Sequence, residues 1–336
     1  MKKEQGFSSV EVLIATAITL IILAGTMDSF NRSLGLNEKA TQIADVEQNM
    51  RAGMNFLVSD FISAGWEIPI GGIPIPSGSG AVPVRRPGPP GTYYTFNSST
   101  MASVNAGPAL GPEWNGEPTD IVNILYSDNL LPLNEKELVS IAFDGSSVVV
   151  DPEIPITGAG VSNPITEGDL ILLNNANGIT MQCVTGVSSQ TIYFGSGDDM
   201  NLNQPGAENG SVTQLKNLDG SFPPTSAKRV WLISYYLDFD AVPDMPRLIR
   251  RINYRDGSPV ALVLENLQLS YDLVDGITNP INQKIPVPPN GPAQIRKANI
   301  LLSGRSSTAI RDTGEYLRRS LTTQVSLRSL SYFDRY

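Results

Sequence analysis

The residue types that most often carry out enzyme chemistry are scarce in this sequence. It has no histidine and one cysteine, Cys183, among 336 residues. A Ser-His-Asp triad, histidine-ligated zinc, a CxxC redox pair and a cysteine-rich zinc site are therefore excluded. No GxxxxGKS/T phosphate loop occurs, and no GxGxxG motif opens a helix. We expect a protein that is not an enzyme and that has no cofactor, no metal and no small-molecule substrate.

A polar cluster made of Asp198, Asp199, Asn201 and Asn203 is the remaining candidate for binding an ion. Carboxylate and carbonyl oxygens are the ligands that calcium prefers. The cluster lacks the spacing of an EF-hand loop and its bidentate glutamate, which favours a solvated loop. The sequence leaves open whether Asp198 and Asp199 bind calcium.

One carboxylate is conspicuous by its position near the N-terminus. Lys2 and Lys3 precede Gly6, and the apolar run over residues 7–27 contains a single charged residue, Glu11. A membrane span needs about 20 apolar residues, which this run provides. A carboxylate inside a membrane helix costs on the order of 2.5–3.5 kcal/mol, so Glu11 needs a compensating role. The two lysines place the N-terminus in the cytoplasm by the positive-inside rule.

The helix that carries Glu11 is predicted to continue far beyond the apolar run. Apolar residues recur with the period of one helix face at Ile43, Val46, Met50, Met54, Leu57, Phe61 and Ala64. The predicted helix covers residues 7–64, roughly 87 Å at 1.5 Å per residue, and Gly65 ends it as a C-cap glycine. Its first half suits lipid on all sides, whereas its second half is amphipathic and must pack on the rest of the protein.

The remainder of the chain has a β pattern after a stretch rich in proline and glycine. Prolines and glycines between residues 67 and 91 forbid regular structure there, and a second polar stretch covers 97–119. A short candidate strand, 93–96, lies between them. The other candidate strands are 120–126, 138–143, 147–150, 169–173, 180–187, 191–194, 229–238, 247–254, 267–273, 298–303 and 320–330. Alternation with one apolar face is clearest in 267–273 and 321–327, which is typical of an antiparallel sheet covered on one side. Cys183, in one of these strands, is expected to be a small buried side chain.

These elements predict an α+β fold in which a long N-terminal helix packs on antiparallel β-sheet. The predicted organisation is a leader (1–6), the helix (7–66, with its membrane segment at 7–27), a loop region (67–119) and a β-rich head (120–336). The formal net charge is −9. An acidic chain is not expected to bind nucleic acid, which requires a basic surface.

The N-terminal arrangement Gly6-Phe7-Ser8-Ser9-Val10-Glu11, followed by the apolar run, resembles the class III signal of type IV prepilins. In that family a dedicated peptidase cuts after the glycine and methylates the new N-terminal phenylalanine, and the glutamate faces the N-terminal amine of a neighbouring subunit. The resemblance implies cleavage after Gly6, N-methylation of Phe7 and an assembly contact at Glu11. A secretory signal peptide fits less well, because it is cut after its apolar core. A plain membrane anchor is the other alternative.

Later segments are similar to one branch of that superfamily. Residues 51–60 with Ala64-Gly65-Trp66 look like the end of the first helix in PilW-type minor pilins and in the related pseudopilin J of type II secretion. Residues 168–172, 264–271, 298–305 and 318–328 are similar to strands of the PilW type. Residues 67–119 and 195–228 have no counterpart there, and the sequence leaves open whether either segment binds a ligand.

The resemblance implies a minor pilin that helps to initiate assembly of a type IV pilus at or near its tip. Its expected partners are the prepilin peptidase, other minor and major pilins, and the bacterial inner membrane before assembly. The head is then expected in the periplasm and later on the pilus or cell surface. A type II secretion pseudopilin, or a surface adhesin or binding module carried on a pilin stem, are the alternatives.

Overall fold

The structure of the chain is a computed structural model that describes residues 8–158, 160–161, 163–239, 245–311 and 313–331. Gly6 and Phe7 lie outside these residues. Contacts divide the chain into two units, of which the first is residues 1–48 with 305–319 and the second is residues 49–304 with 320–336. The fold is α+β, as the sequence predicts, with one long N-terminal helix and several antiparallel sheets.

The long helix, α1, runs from Ser9 to Ser63 without a break at Gly25 or Gly35. It begins two residues after the predicted start and ends one residue before the predicted end. Gly65 follows with a φ of 76°, the left-handed conformation that glycine adopts beyond a helix C-terminus. Its amide N–H donates to the carbonyl of Leu125 at 2.9 Å, so the chain turns directly onto the sheet.

The N-terminal part of α1 is long and apolar enough to cross a membrane by length and composition. None of its apolar 18-residue stretch is buried by the rest of the described chain. Large apolar side chains are exposed there on every side of the helix, among them Leu13, Leu20 and Ile21. Such a surface requires an apolar environment, either lipid or other helices.

The described residues contain twenty strands after α1. Those before residue 150 are β1 (Ile73–Pro74), β2 (Arg85–Arg86), β3 (Tyr94–Thr95), β4 (Thr100–Met101), β5 (Val104–Gly107), β6 (Glu113–Trp114), β7 (Glu117–Pro118), β8 (Ile121–Ser127), β9 (Ser140–Ile141) and β10 (Ser147–Val149). The others are β11 (Leu170–Asn175), β12 (Gly178–Cys183), β13 (Gly186–Ser188), β14 (Thr191–Tyr193), β15 (Ser226–Asp238), β16 (Arg247–Ile252), β17 (Ser258–Leu262), β18 (Leu264–Leu273), β19 (Ile295–Arg305) and β20 (Arg318–Ser326). A short helix, α2 (Arg328–Ser331), follows β20.

The largest sheet is built around the thirteen-residue strand β15. Its first part pairs with β11 and its second part with β16, while β8 pairs with Val230–Tyr235 of its middle. Strands β12, β17 and β5 extend the sheet beyond β11, β16 and β8. Every one of these pairs is antiparallel, as the alternating sequence pattern predicts.

A three-stranded sheet contains β18, β19 and β20 in that order. Leu267, Leu269, Tyr271 and Leu273 of β18 are buried, and the residues between them are more exposed. The predicted alternation of this strand is therefore confirmed. Cys183 is 3% exposed and is a small buried side chain, also as predicted.

The second half of α1 buries the predicted face. Val46, Met50, Met54, Leu57, Phe61 and Ala64 are all buried, whereas Ile43, the first residue of that predicted face, is only half-buried. The helix approaches the sheet very closely at Gly53, where a Cβ atom would lie 3.0 Å from Ala261 Cβ and 3.0 Å from Leu248 Cδ2. A larger residue at position 53 would therefore push α1 away from β16 and β17.

Several expectations about secondary structure are wrong. Residues 67–91 are predicted to lack regular structure, yet β1 and β2 lie there as two-residue strands. The polar stretch 97–119 contains β4, β5, β6 and β7, and the predicted strand 180–187 is divided into β12 and β13. Strand β17 was not predicted. The last predicted strand extends to residue 330, whereas the chain leaves the sheet after Ser326 and forms α2.

Deletion of residues 1–32 is expected to leave a folded, monomeric head, because no residue from 8 to 34 is buried. The truncated chain should keep a β-rich circular dichroism spectrum, unfold cooperatively and elute as a monomer. Deletion of residues 1–56 is the control, since it also removes the buried side chains of Met50 and Met54. Aggregation of the shorter deletion would contradict this description of the core.

Candidate functional site

Glu11 lies in the first turn of α1 and caps the N-terminus of the helix. Its Oε2 accepts a hydrogen bond from the backbone N–H of Ser8 at 3.0 Å. The Ser8 hydroxyl in turn accepts from the N–H of Val10 at 3.3 Å. When each side chain of an S-x-x-E pair accepts a hydrogen bond from a backbone N–H at or near the other residue, the arrangement is a capping box. Here the serine accepts from an N–H one residue earlier than usual. The glutamate is therefore part of the helix start as well as a charge on an apolar segment.

This role of Glu11 was missed from the sequence, although its signal was present. Ser8 and Glu11 have the spacing that marks a helix N-terminus before an apolar run. The charge of Glu11 among apolar residues predicts an assembly contact and does not by itself reveal the local one. Gly6 and Phe7, the predicted cleavage site and new N-terminus, lie outside the described residues, so their roles stay predictions.

A second carboxylate on α1, Asp60, joins the helix to the sheet. Its Oδ2 accepts from Tyr235 Oη at 2.6 Å and from Arg250 Nε at 2.7 Å. Its Oδ1 accepts from Tyr126 Oη at 3.0 Å and from Arg250 Nη2 at 3.1 Å. The arginine contact is bidentate, the strongest arrangement for a carboxylate and a guanidinium. One side chain of α1 is thus bonded to β8, β15 and β16.

The chemistry of the Asp60 cluster is structural. Burial, and next the negative charge of Asp60, raises the pKa of Tyr126 and of Tyr235 above the usual range for tyrosine. Both hydroxyls therefore stay protonated and donate to the carboxylate at physiological pH. Asp60 is 6% exposed, and both of its oxygens are occupied by hydrogen bonds, so no free base faces solvent.

The candidate calcium ligands form a tight turn in which Asp198 bonds the backbone. Its Oδ2 accepts from the N–H groups of Met200 and Leu202, and its Oδ1 accepts from that of Asn203. The Asn203 side chain bonds the backbone of Cys183 and the carbonyl of Gly195. No group of three or more His, Cys, Asp or Glu in the described part of the chain is arranged to hold a metal ion. Asp198 and Asn203 are buried, so this turn is held by internal hydrogen bonds and is not the solvated loop that the sequence favours. Calcium binding by Asp198 and Asp199 stays an open prediction.

Two carboxylates of α1 therefore have distinct roles, one as the candidate assembly contact and one as a structural link. Glu11 supplies a single carboxylate on an exposed apolar segment, and Asp60 fixes the other end of the helix in the β-rich head. The sequence indicated the first of them and not the second. Comparison with known proteins found no matching family model, no matching curated protein and no matching solved structure.

Proposed function

We propose that this chain is a minor pilin of the PilW type, which is cleaved after Gly6, N-methylated at Phe7 and carried into a type IV pilus. The observation that supports this proposal is the division of α1. Its first part is apolar, exposed and interrupted only by Glu11, and its second part is fixed in a β-rich head. A single helix with these two parts is suited to leave the membrane for a bundle of similar helices while its head stays folded.

The proposal includes a location and a set of partners. The chain crosses the inner membrane once with its head in the periplasm, and it later lies on the pilus or cell surface. The prepilin peptidase and other minor and major pilins are its partners. The bulk of residues 67–336 favours a role in low copy at or near the tip over repeated use along a shaft. A type II secretion pseudopilin is the alternative, and neighbouring genes of a pilus or of a secretion operon separate the two.

We expect the mature protein to begin at an N-methylated Phe7. Gly6 has no side chain and fits a narrow protease site, so Gly6→Glu should leave the precursor uncut. Mass spectrometry of the N-terminal peptide from membranes measures both outcomes. An intact Met1, or a cut beyond residue 27, would show that the segment is an anchor or a secretory signal instead.

Glu11 variants are expected to separate assembly from helix capping. Glutamine also completes a capping box, so Glu11→Gln keeps the bond to Ser8 and removes only the charge. We expect Glu11→Gln and Glu11→Ala to be cleaved and inserted normally, yet to enter filaments less and to recover fewer partner pilins in pull-downs. The reason is that the charged carboxylate pairs with a neighbour's Phe7 amine in a medium of low dielectric.

Ser8→Ala is the matched control for Glu11, because it weakens the helix start and keeps the carboxylate. It should assemble as the parent does. Glu11→Asp, which is charged but one methylene shorter, should be partly active. If Glu11→Gln assembles fully while Ser8→Ala does not, Glu11 serves the helix start alone and the proposed contact between subunits is wrong.

A further inference from the structure

A groove of about 700 Å³ lies in the second unit, between the C-terminal end of α1, the end of β8 and α2. Two of the three tryptophans of the chain, Trp66 and Trp231, line it. Ser127, Asn129 and Arg328 are also part of its surface. Its volume lies in the range of small-molecule binding sites, which combine apolar walls with a few polar groups.

Both indole rings in the groove are held in place. Trp66 is 49% exposed, and its Nε1–H donates to Asn129 Oδ1 at 3.0 Å. Trp231 is partly buried, and the guanidinium carbon of Arg229 lies 4.8 Å from its ring centroid. Arg229 is itself fixed by Asp128, whose Oδ2 accepts from Nε at 2.7 Å and from Nη2 at 2.6 Å. Fixed aromatic rings lose little entropy when a ligand packs on them.

Two exposed polar groups of the groove, on Asn129 and Arg328, have no partner among the described residues. The amide nitrogen of Asn129 donates to no described atom, because only its oxygen is used by Trp66. The Arg328 guanidinium has no carboxylate within ion-pair distance in the described chain. The Asp128 carboxylate cannot serve it, since Arg229 and the N–H of Leu130 occupy both oxygens.

The chemistry of these groups decides which ligand fits. A purely apolar occupant would cover an exposed amide and an exposed guanidinium without giving them partners, which is unfavourable. A saccharide instead offers apolar C–H faces to the indoles and hydroxyl groups to the amide of Asn129. A carboxylate on the saccharide would pair with Arg328 through charge-assisted hydrogen bonds. We propose that this groove is a binding site for an acidic saccharide.

This site is independent of the filament role proposed above, so either can fail without the other. Its test uses the full-length chain in a detergent without a sugar headgroup, carrying Trp114→Phe so that only Trp66 and Trp231 fluoresce. The probe is a hyaluronan tetrasaccharide, which alternates N-acetylglucosamine and glucuronic acid. Chitotetraose, which is neutral and of the same length, is its matched control.

We expect a saturable fluorescence change with the acidic probe and binding about tenfold weaker with chitotetraose, the loss of one charged hydrogen bond. Arg328→Gln should abolish that preference, and Trp66→Ala should weaken binding of both saccharides. Asn129→Ala, which removes one exposed amide and no ring, guards against a folding defect of Trp66→Ala and should also weaken binding. A variant is included in the comparison only if its unfolding midpoint equals that of the parent.

Several results would overturn the site. The site is excluded if neither saccharide gives a saturable change up to about 10 mM. The binding free energy would then be smaller in magnitude than about 3 kcal/mol. Equal affinity for the two saccharides would show that Arg328 does not pair with the carboxylate of the acidic one. A response to decanol without one to saccharides would identify an apolar docking surface instead. A large gain in affinity on deleting residues 332–336 would mean that the end of the chain itself is the natural occupant.

Discussion

Asp60→Ala is expected to lower the free energy of unfolding by about 3–5 kcal/mol, the usual loss when one partner of a buried ion pair is removed. The substitution leaves the partly buried guanidinium of Arg250 without its carboxylate. It also removes the acceptor of the Tyr235 hydroxyl, which belongs to a fully buried side chain, and of the Tyr126 hydroxyl. Denaturant unfolding of the full chain in detergent, followed by circular dichroism, measures the loss.

Two variants serve as controls for Asp60. Asp60→Asn keeps the shape and one acceptor oxygen, so its loss should lie between those of the parent and Asp60→Ala. Glu153→Ala breaks an exposed ion pair with Lys136 and should change stability by less than about 1 kcal/mol. A similar small change for Asp60→Ala would show that the carboxylate does not fix α1 to the sheet.

Phe61→Ala is expected to cost about 3–5 kcal/mol, the range for removing a fully buried phenylalanine ring. Phe61 is 0% exposed and lies one helical turn from Leu57, which is also fully buried. A fully buried ring has neighbours on all sides, so its removal leaves a cavity in the core. The same denaturant series measures it.

Phe56 provides a matched control on the same helix. Its ring is 47% exposed, so Phe56→Ala removes the same atoms from a surface that is already wet. We expect a loss below about 1 kcal/mol for Phe56→Ala, as for most surface substitutions. Equal losses at the two positions would contradict the orientation of α1 described here.

Much of the fold was predictable because its apolar residues recur with a regular period. The face of α1 from Val46 to Ala64 repeats every three or four residues, and β18 alternates every two, so burial can be read directly. Strand β17 was missed because Pro259 lies in it and proline argues against a strand. Strands of two residues, such as β1, have no period to detect, since they exist only through their partners in the sheet.

The candidate site was predictable only where its signal is local. Glu11 is visible as a charge among apolar neighbours. Asp60 reads as one polar residue on an amphipathic helix, and its partners Tyr235 and Arg250 are 175 and 190 residues away in the sequence. A contact over such a separation leaves no trace in hydropathy or spacing.

The Asp60 cluster also determines how this protein would bear mechanical load. A pull on the N-terminal part of α1 passes along the helix through backbone hydrogen bonds that act in series. At Asp60 the load divides among four side-chain bonds to β8, β15 and β16, which must break together for the helix to slide. Tension on the N-terminal part of α1 would therefore stretch the helix before it could pull the helix out of the sheet.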